Sequence, residues 1–496
     1  MKKFGVSAAM ILVLAGAAYA TDASADDIMV TKAAPAVTTK AAPQPSTCSS
    51  LEDFVFTNCA LTSSGITVYG TIDGGVAWQS HGTPFNGKAA VGLEYLIQKN
   101  SNRALWSLAP NGLSQSNIGI KGNEPLAPGW AFVFDLQAGF DPYSLQFANG
   151  PGSVFENAGV PLTSQSSNAD SSRAGQFYNS VGYLGVSSPT YGTLTVFRQN
   201  SLTLDGVLGY DPMGGSYAFS PIGWQGITCG VGDTENCRFS TAVKYRVDIG
   251  QFRVAALWQF GGYDLNNAAT GSYQLQIGGD IANLAGGTLS LDAIGSYVQN
   301  AVAITLAGNT LPAVLPQIYT ATLSDNSSVM LLAKYSNGPV KLFAGYEYIR
   351  YAPPSNPFAA GTGFNDIAGN FVCAGCAAIN NTNINSTAFS AGDRTLHVFW
   401  TGVKYSITDN LDVIGAYYHY DQPTFGAPVN CTAIGAATPA TCHGTFDAFS
   451  FAVDWQFAKK FDAYAGFMFS QVNGGLANGY LNRNTIDPTV GLRFRF

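Results

Sequence analysis

The chain has 496 residues, of which only 11% are charged, and it carries a net charge of −7 at pH 7. That charge content is less than half the roughly 25% usual for soluble domains, and the acidic balance gives no footprint for binding nucleic acid. Hydrophobic residues reach 46%, yet mean hydropathy is only +0.10. Past the first 25 residues no apolar run approaches the 18 or so that a membrane helix needs, so the apolar residues are dispersed over short elements.

The chain opens with Lys2 and Lys3, then a largely apolar stretch from Phe4 to Ala18. Small-residue sites follow at Ala18-Tyr19-Ala20 and Ala23-Ser24-Ala25. This order reads as a signal peptide, residues 1–25, cleaved after Ala25. Residues 26–60 form an Ala/Pro/Thr-rich tail, with Lys-Ala-Ala-Pro starting at Lys32 and again at Lys40. It lacks a periodic apolar face and reads as a periplasmic tail.

Eight cysteines fall into four close pairs: Cys48 with Cys59, Cys229 with Cys237, Cys373 with Cys376, and Cys431 with Cys442. In an exported chain, local disulfides that pin loops are the main reading. The alternative is a metal site built from Cys373 and Cys376 with Cys431, Cys442 or His443. Structural zinc sites want four regularly spaced ligands, and this spacing is irregular, so no metal and no cofactor is expected.

From Gly65 onward, period-two segments recur, which is the strand signal. In the first, Ile66, Val68, Gly70 and Ile72 share one face, and Thr67, Tyr69, Thr71 and Asp73 the other. Residues 251–260 set Phe252, Val254, Ala256, Trp258 and Phe260 against Gln251, Arg253 and Gln259. Residues 448–457 repeat the design with Phe449, Phe451, Val453, Trp455 and Phe457. One strand breaks the pattern, because Leu194 and Val196 share parity with Arg198. Either Arg198 lies above the apolar band or a bulge shifts the register there.

The final run, Thr489 to Phe496, puts Val490, Leu492, Phe494 and Phe496 on one face and Arg493 and Arg495 on the other. A strand oily on one side and cationic on the other divides lipid from water. Strands are expected near 66–78, 116–122, 129–140, 178–187, 191–199, 238–248, 251–262, 272–283, 286–298, 327–336, 339–350, 394–406, 410–421, 445–457, 460–471 and 487–496. Alternate connections are tight, as at Asn337-Gly338 and Thr408-Asp409, and the others are mostly long, notably 79–115, 200–237, 299–326 and 351–393. Short turns at one end and long loops at the other predict an all-β, sixteen-stranded antiparallel transmembrane β-barrel spanning 61–496, with periplasmic turns and extracellular loops.

Three motifs resemble a known family. Ser64-Gly65-Ile66-Thr67-Val68-Tyr69-Gly70 is similar to the first strand of the general diffusion porins of Gram-negative bacteria. Ser116 to Leu126 is similar to their second strand and turn, and Tyr191 to Gln199 to their fifth strand and the entry to loop three. With the terminal Phe496, these resemble most the α-proteobacterial porins. The resemblance implies a homotrimer in the outer membrane, in contact with lipopolysaccharide. It implies that Leu492, Phe494 and Phe496 form the signal read by the barrel-assembly machinery. It also implies that loop 200–237 folds into the lumen as a constriction.

A sixteen-stranded barrel is too wide for side chains to fill, so its expected activity is passive diffusion of small hydrophilic solutes. Loop 200–237 carries Asp205, Asp211, Asp233 and Glu235 and no Lys or Arg, and a Cys229–Cys237 bridge would staple its end. Alternation puts Lys121, Lys244, Arg246 and Arg253 on the lumen face opposite. Acids facing bases would set a transverse field, with Arg246 the leading wall candidate. Where the family often has wall arginines, this chain has Asn117 and Ser180, and the loops 200–237, 263–271, 299–326, 351–393 and 422–444 lack Lys and Arg altogether. A weak cation preference follows. The alternative is a substrate-specific channel. Catalysis is not expected: the four histidines, His81, His397, His419 and His443, are scattered, and neither a Gly-x-Ser-x-Gly nor a His-Glu-x-x-His motif occurs.

Overall fold

The computed structural model describes residues 48–57, 59–82, 95–97, 101–145, 180–223, 238–260, 271–307, 318–353, 355 and 392–496. The expected signal peptide and most of the tail lie outside them. A short helix α1 (Leu51–Phe56) precedes the strand β1 (Leu61–Ser63). Then come β2 (Ile66–Gly82), β3 (Arg103–Pro110), β4 (Asn117–Ala127), β5 (Trp130–Gly139), β6 (Val181–Ser188) and β7 (Gly192–Asn200). Helix α2 (Leu202–Tyr210) interrupts the series. It resumes with β8 (Arg238–Ile249), β9 (Phe252–Gln259), β10 (Gly271–Leu284), β11 (Gly287–Ala307), β12 (Ile318–Asn337) and β13 (Val340–Ala352). It ends with β14 (Arg394–Thr408), β15 (Leu411–Gln422), β16 (Gly444–Ala458), β17 (Phe461–Gly474) and β18 (Asn484–Arg495).

Of the four cysteine pairs expected as disulfides, two are bonded among the described residues, Cys48 to Cys59 and Cys431 to Cys442. The other two expected bridges are not observed there. Cys229 and Cys237 lie outside the described residues, as do Cys373 and Cys376. In the sequence, Cys237 directly precedes Arg238, the first residue of β8.

Every consecutive pair from β4 to β18 is antiparallel, and β18 pairs back onto β2. The sheet is therefore closed. β2 pairs with β4 along Ile66–Thr71 and with β3 along Gly74–Gly82, so β3 and β4 are two halves of one broken strand. Setting aside the three-residue β1, sixteen strand positions close the barrel. The expected strands agree with those observed, with two exceptions. The stretch 79–115, expected as loop, contains β3. Residues 299–326, also expected as loop, largely continue the β11–β12 hairpin to Ala307 and Ile318. At about 3.3 Å per residue these long strands exceed the roughly 25 Å apolar band even when tilted, so the hairpin stands beyond the rim.

Alternation decides which face is which. Trp258, Phe449, Phe451, Trp455, Val490 and Leu492 are exposed on the outside, while Asp73, Asp135 and Arg493 are buried within. The turn chemistry also fits: Gly129, Gly250, Gly286 and Gly338 have φ between +54° and +82° in the tight turns.

The seam between first and last strands is held by charge. Arg493 sits opposite Asp73 in the β18–β2 ladder. Its Nε donates to Asp462 at 2.8 Å, and Arg495 donates to the other oxygen of Asp462 at 3.0 Å. Asp73 accepts from Tyr464 Oη at 2.7 Å and from the backbone N–H groups of Leu113 and Ser114, both at 2.8 Å. Those last two bonds fix the break between β3 and β4.

Removing one partner of a buried ion pair costs about 3–5 kcal/mol, because the remaining charges are left uncompensated. Arg493→Met should therefore lower the stability of the folded barrel by that order. The midpoint of its heat-modifiable shift on SDS gels measures this.

Candidate pore constriction

The entry into the lumen begins with a backbone irregularity. Phe197 has φ +85°, and the β7–β8 register slips between Phe197 and Gln199. Phe197 stays outside, 55% exposed, while Arg198, Gln199 and Asn200 turn inward and are buried. A bulge thus resolves the parity conflict at Arg198. Ser201 then caps α2, its Oγ accepting from Leu204 N at 2.9 Å. Gly206 faces the wall so closely that a Cβ there would lie 2.6 Å from Ile294 and 2.9 Å from Leu332.

Residues 201–223 then cross the lumen and are pinned at several points. At the first, Lys244 of β8 pairs with Asp205, and its Nζ also donates to Asn200 O at 3.1 Å. At the second, Tyr210 Oη donates to Asp292 of β11. Arg253 of β9 holds the same carboxylate through Nε and Nη2 at 2.9 and 2.8 Å and reaches Asp280 at 3.0 Å. At the third, Trp400 Nε1 donates to Tyr210 O at 3.0 Å, and Tyr420 Oη to Pro221 O at 2.8 Å. At the last, Ser216 Oγ and Ala218 N donate to Gly112 O, and Tyr217 Oη to Gln115, all in the β3–β4 break. The described part of the loop is thus anchored by hydrogen bonds and ion pairs.

Asp211 lies at the centre. It accepts from Tyr418 Oη and Gly215 N, each at 2.7 Å, and from Met213 N at 3.3 Å. It is fully buried, so it organises the loop from inside and offers no charge to a passing solute. Burial pushes its carboxyl above the ordinary value of 3.8, and the hydrogen bond from Tyr418 pulls it partly back.

The expected site residues thus fall into groups. Asp205 and Lys244 meet directly, and Arg253 joins Asp280, Asp292 and Tyr210 instead of the loop acids. Lys121 lies on β4 opposite Asp135, its Nζ 4.9 Å from the Tyr69 ring centre. Arg246, half-buried on β8, is two residues nearer the turn than Lys244 and bonds to no other described side chain. Asp233 and Glu235, like the neighbouring Cys229 and Cys237, lie outside the described residues. The sequence does not single out Asp292, Asp135, Tyr418 or Gln115. Parity can find Asp292, which alternates with the outward Leu291; nothing local marks Gln115.

The wall is two-sided. From β4 to β10 it presents Lys121, Asp135, Lys244, Arg253, Gln274 and Gln276. From β11 to β17 it presents Ile294, Met330, Leu396, Val398, Trp400 and Met468, buried with the loop residues Leu202, Val207 and Phe219 in an apolar cluster that also takes in Phe239, Ala242, Ala255 and Leu257 of β8 and β9. Asp292 and Glu347 are buried on the same side. The loop therefore leans on these apolar groups and also on β10, where Gln274 accepts from Leu202 N at 2.6 Å. Cys431 and Cys442, on the β15–β16 connection, are disulfide-bonded, which removes both from the alternative metal set.

A closed sixteen-stranded barrel, apolar outside and entered by its own loop, is the architecture of an outer-membrane channel. The Gram-negative porin family model matches residues 7–475, and the chain belongs to that family. It is 23% identical over 192 residues to an outer membrane porin protein of Bordetella pertussis, a match covering 38% of this chain and 41% of that protein. The fold is similar to an anion-selective porin from Comamonas acidovorans (TM-score 0.53, 14% identity, 87% of this chain and 99% of that one). It is also similar to OmpT of Vibrio cholerae (TM-score 0.51, 13% identity, 88% and 99%).

Asp211→Ala strands the hydroxyl and N–H groups that now bond to it, at about 1–3 kcal/mol for each buried donor. The loop should loosen, and single-channel recordings should show higher, noisier conductance. The linkage sign is set by the raised folded pKa: the loop is firmest below the ordinary carboxylate range and weakens as pH rises through the raised value. Acidification should quiet the wild-type channel, and Asp211→Asn should remove that component.

Proposed function

We propose that this protein forms a water-filled channel in the outer membrane for passive diffusion of small hydrophilic solutes and ions. The observation that carries the reading is the Asp205–Lys244 pair, where the in-lumen loop meets the polar wall. The loop also holds β8–β10 through Lys244, Arg253 and Gln274, so the free path runs beside β4–β7, past Lys121 and Tyr183. No energy source is needed, because solutes follow their own gradients. Selectivity comes from the groups lining that path.

Two of the four wall bases are already matched by acids. Lys244 is balanced by Asp205, and Arg253 by Asp280 and Asp292. The transverse field is therefore short-ranged, and Lys121 and Arg246 contribute what the paired groups do not. The outer segments 263–271, 299–326 and 351–393 carry Asp and no Lys or Arg, and supply a negative mouth that gathers cations. The channel is weakly cation-preferring on this account. The alternative reading is a substrate-specific channel.

We read the assembly as a homotrimer; a trimer form is recorded for OmpT of V. cholerae. The overall resemblance of residues 61–496 favours the α-proteobacterial type. The outward aromatics suit contact with outer-membrane lipid and lipopolysaccharide, and Leu492, Phe494 and Phe496 suit capture by the barrel-assembly machinery. A bridge between Cys229 and Cys237 would close the loop just before β8 and add a covalent anchor to the polar ones.

In a KCl gradient across a planar bilayer, the reversal potential should show a cation preference that shrinks as salt rises; anion preference would sink the charge argument. Arg246→Ala should increase conductance or cation preference. In liposome swelling, sugars of increasing size should enter at steadily falling rates up to a cutoff. Entry of a single solute class would favour the specific channel.

A further inference from the structure

The first described residues build a small element that the pore does not use. Cys48 and Cys59 are disulfide-bonded, closing a loop that contains α1. Ser50 Oγ caps the helix by accepting from Asp53 N at 3.0 Å, and Cys48 N donates to Ala60 O at 3.3 Å. The chain then runs through β1 into β2, with Ser63 opposite Ile66. The element is therefore covalently continuous with the first long strand.

Its contacts are with the last strand. The Phe54 ring meets Phe494 and Phe496 edge-on, with centroids 5.9 and 5.7 Å apart. Phe494 stacks on Phe496 at 5.4 Å and on Phe461 at 4.7 Å. Phe494 and Phe496 share the outward parity of Val490 and Leu492, which are 56% and 61% exposed, yet both are only half-exposed. Lys460, in the β16–β17 turn, completes the contact. Its Nζ donates to Cys59 O at 3.1 Å and lies 4.3 Å from the centre of the Phe54 ring. Phe496 also forms the last rung of the seam, exchanging backbone hydrogen bonds with Gly70 at 2.9 and 3.0 Å. A Cβ at Gly70 would come within 2.6 Å of the Phe496 ring, so the ring lies across the first strand.

We propose that residues 48–60 are a seam clamp, a disulfide-closed element that starts from β2 and holds the end of β18 by covering its aromatic face. A closed sheet has one joint between its first and last strands, and strand ends are where local opening costs least. The clamp bridges that joint with side-chain contacts beyond the ladder itself. Its disulfide reduces the disorder that the segment must lose to dock.

Amide hydrogen exchange on the full-length barrel in detergent tests the clamp. Phe54→Ala should accelerate exchange in peptides covering 66–72 and 489–496 at least tenfold and leave 327–350 unchanged. Reducing the disulfide in assembled wild-type protein, which requires no refolding, should produce the same local pattern. Wild-type exchange rates at the seam in both experiments would overturn the proposal, as would equal acceleration across the whole barrel.

Discussion

The pairing of Arg493 with Asp73 across the seam is the constraint on which the rest depends. Sheet faces alternate with period two, so a one-residue slip between β18 and β2 would turn the lumen face outward all along the join. A buried arginine tied to Asp462, opposite a buried aspartate tied to Tyr464, makes such a slip expensive. Either group would then face lipid without its partner. The same Asp73 carboxylate accepts from Leu113 and Ser114. Closing the barrel and breaking its second strand are thus one event, organised by one side chain.

That break is what lets the loop cross. Residues 111–116 leave the ladder, so Gly112 O and Gln115 can accept from Ser216, Ala218 and Tyr217. On the far side, Trp400, Tyr418 and Tyr420 donate to the loop. The span between these anchors is bridged by apolar packing, since buried polar groups in this loop need partners and most of its side chains have none to offer. Leaning on the β11–β17 wall gives the loop an apolar bed, while Lys244, Arg253 and Gln274 hold its other side. The asymmetry of the lumen is therefore a consequence of anchoring the loop as well as a filter.

Much of this is legible in the chain. Outward aromatics at 252–260 and 449–457, with Gly or Asn-Gly turns between, specify strand positions because lipid and water impose opposite chemistry on neighbouring residues. The lumen is less legible. Ile294, Met330 and Trp400 are apolar on the inward parity, so alternation there separates apolar from apolar, and the loop that covers them is far away in sequence. β3 reads as loop because its partner surface is the second half of β2, which only the Asp73 network makes available. Asp211 looks like a pore acid because a sequence shows a charge but not the donors folded around it. The bulge at Phe197 is signalled as a conflict at Arg198, and only backbone geometry says which way it resolves.

The periplasmic end carries the seam twice over, and the two devices work on opposite faces. Inside, Arg493, Arg495 and Asp462 hold β18 through ion pairs in a confined lumen, where charges attract strongly. Outside, Phe494 and Phe496 can gain nothing from charge, and against lipid they gain little from burial, since the surroundings are already apolar. What favours their contact with Phe54 is shape and ring geometry, with centroids 5.9 and 5.7 Å apart, distances that suit edge-to-face pairs. Lys460 adds a cation over the ring and a hydrogen bond to Cys59 O, so the outer device includes the polar group that a purely aromatic contact would lack. A strand divided between an oily and a cationic face needs a partner of each kind, and β18 with the terminal Phe496 has both over Arg493 to Phe496.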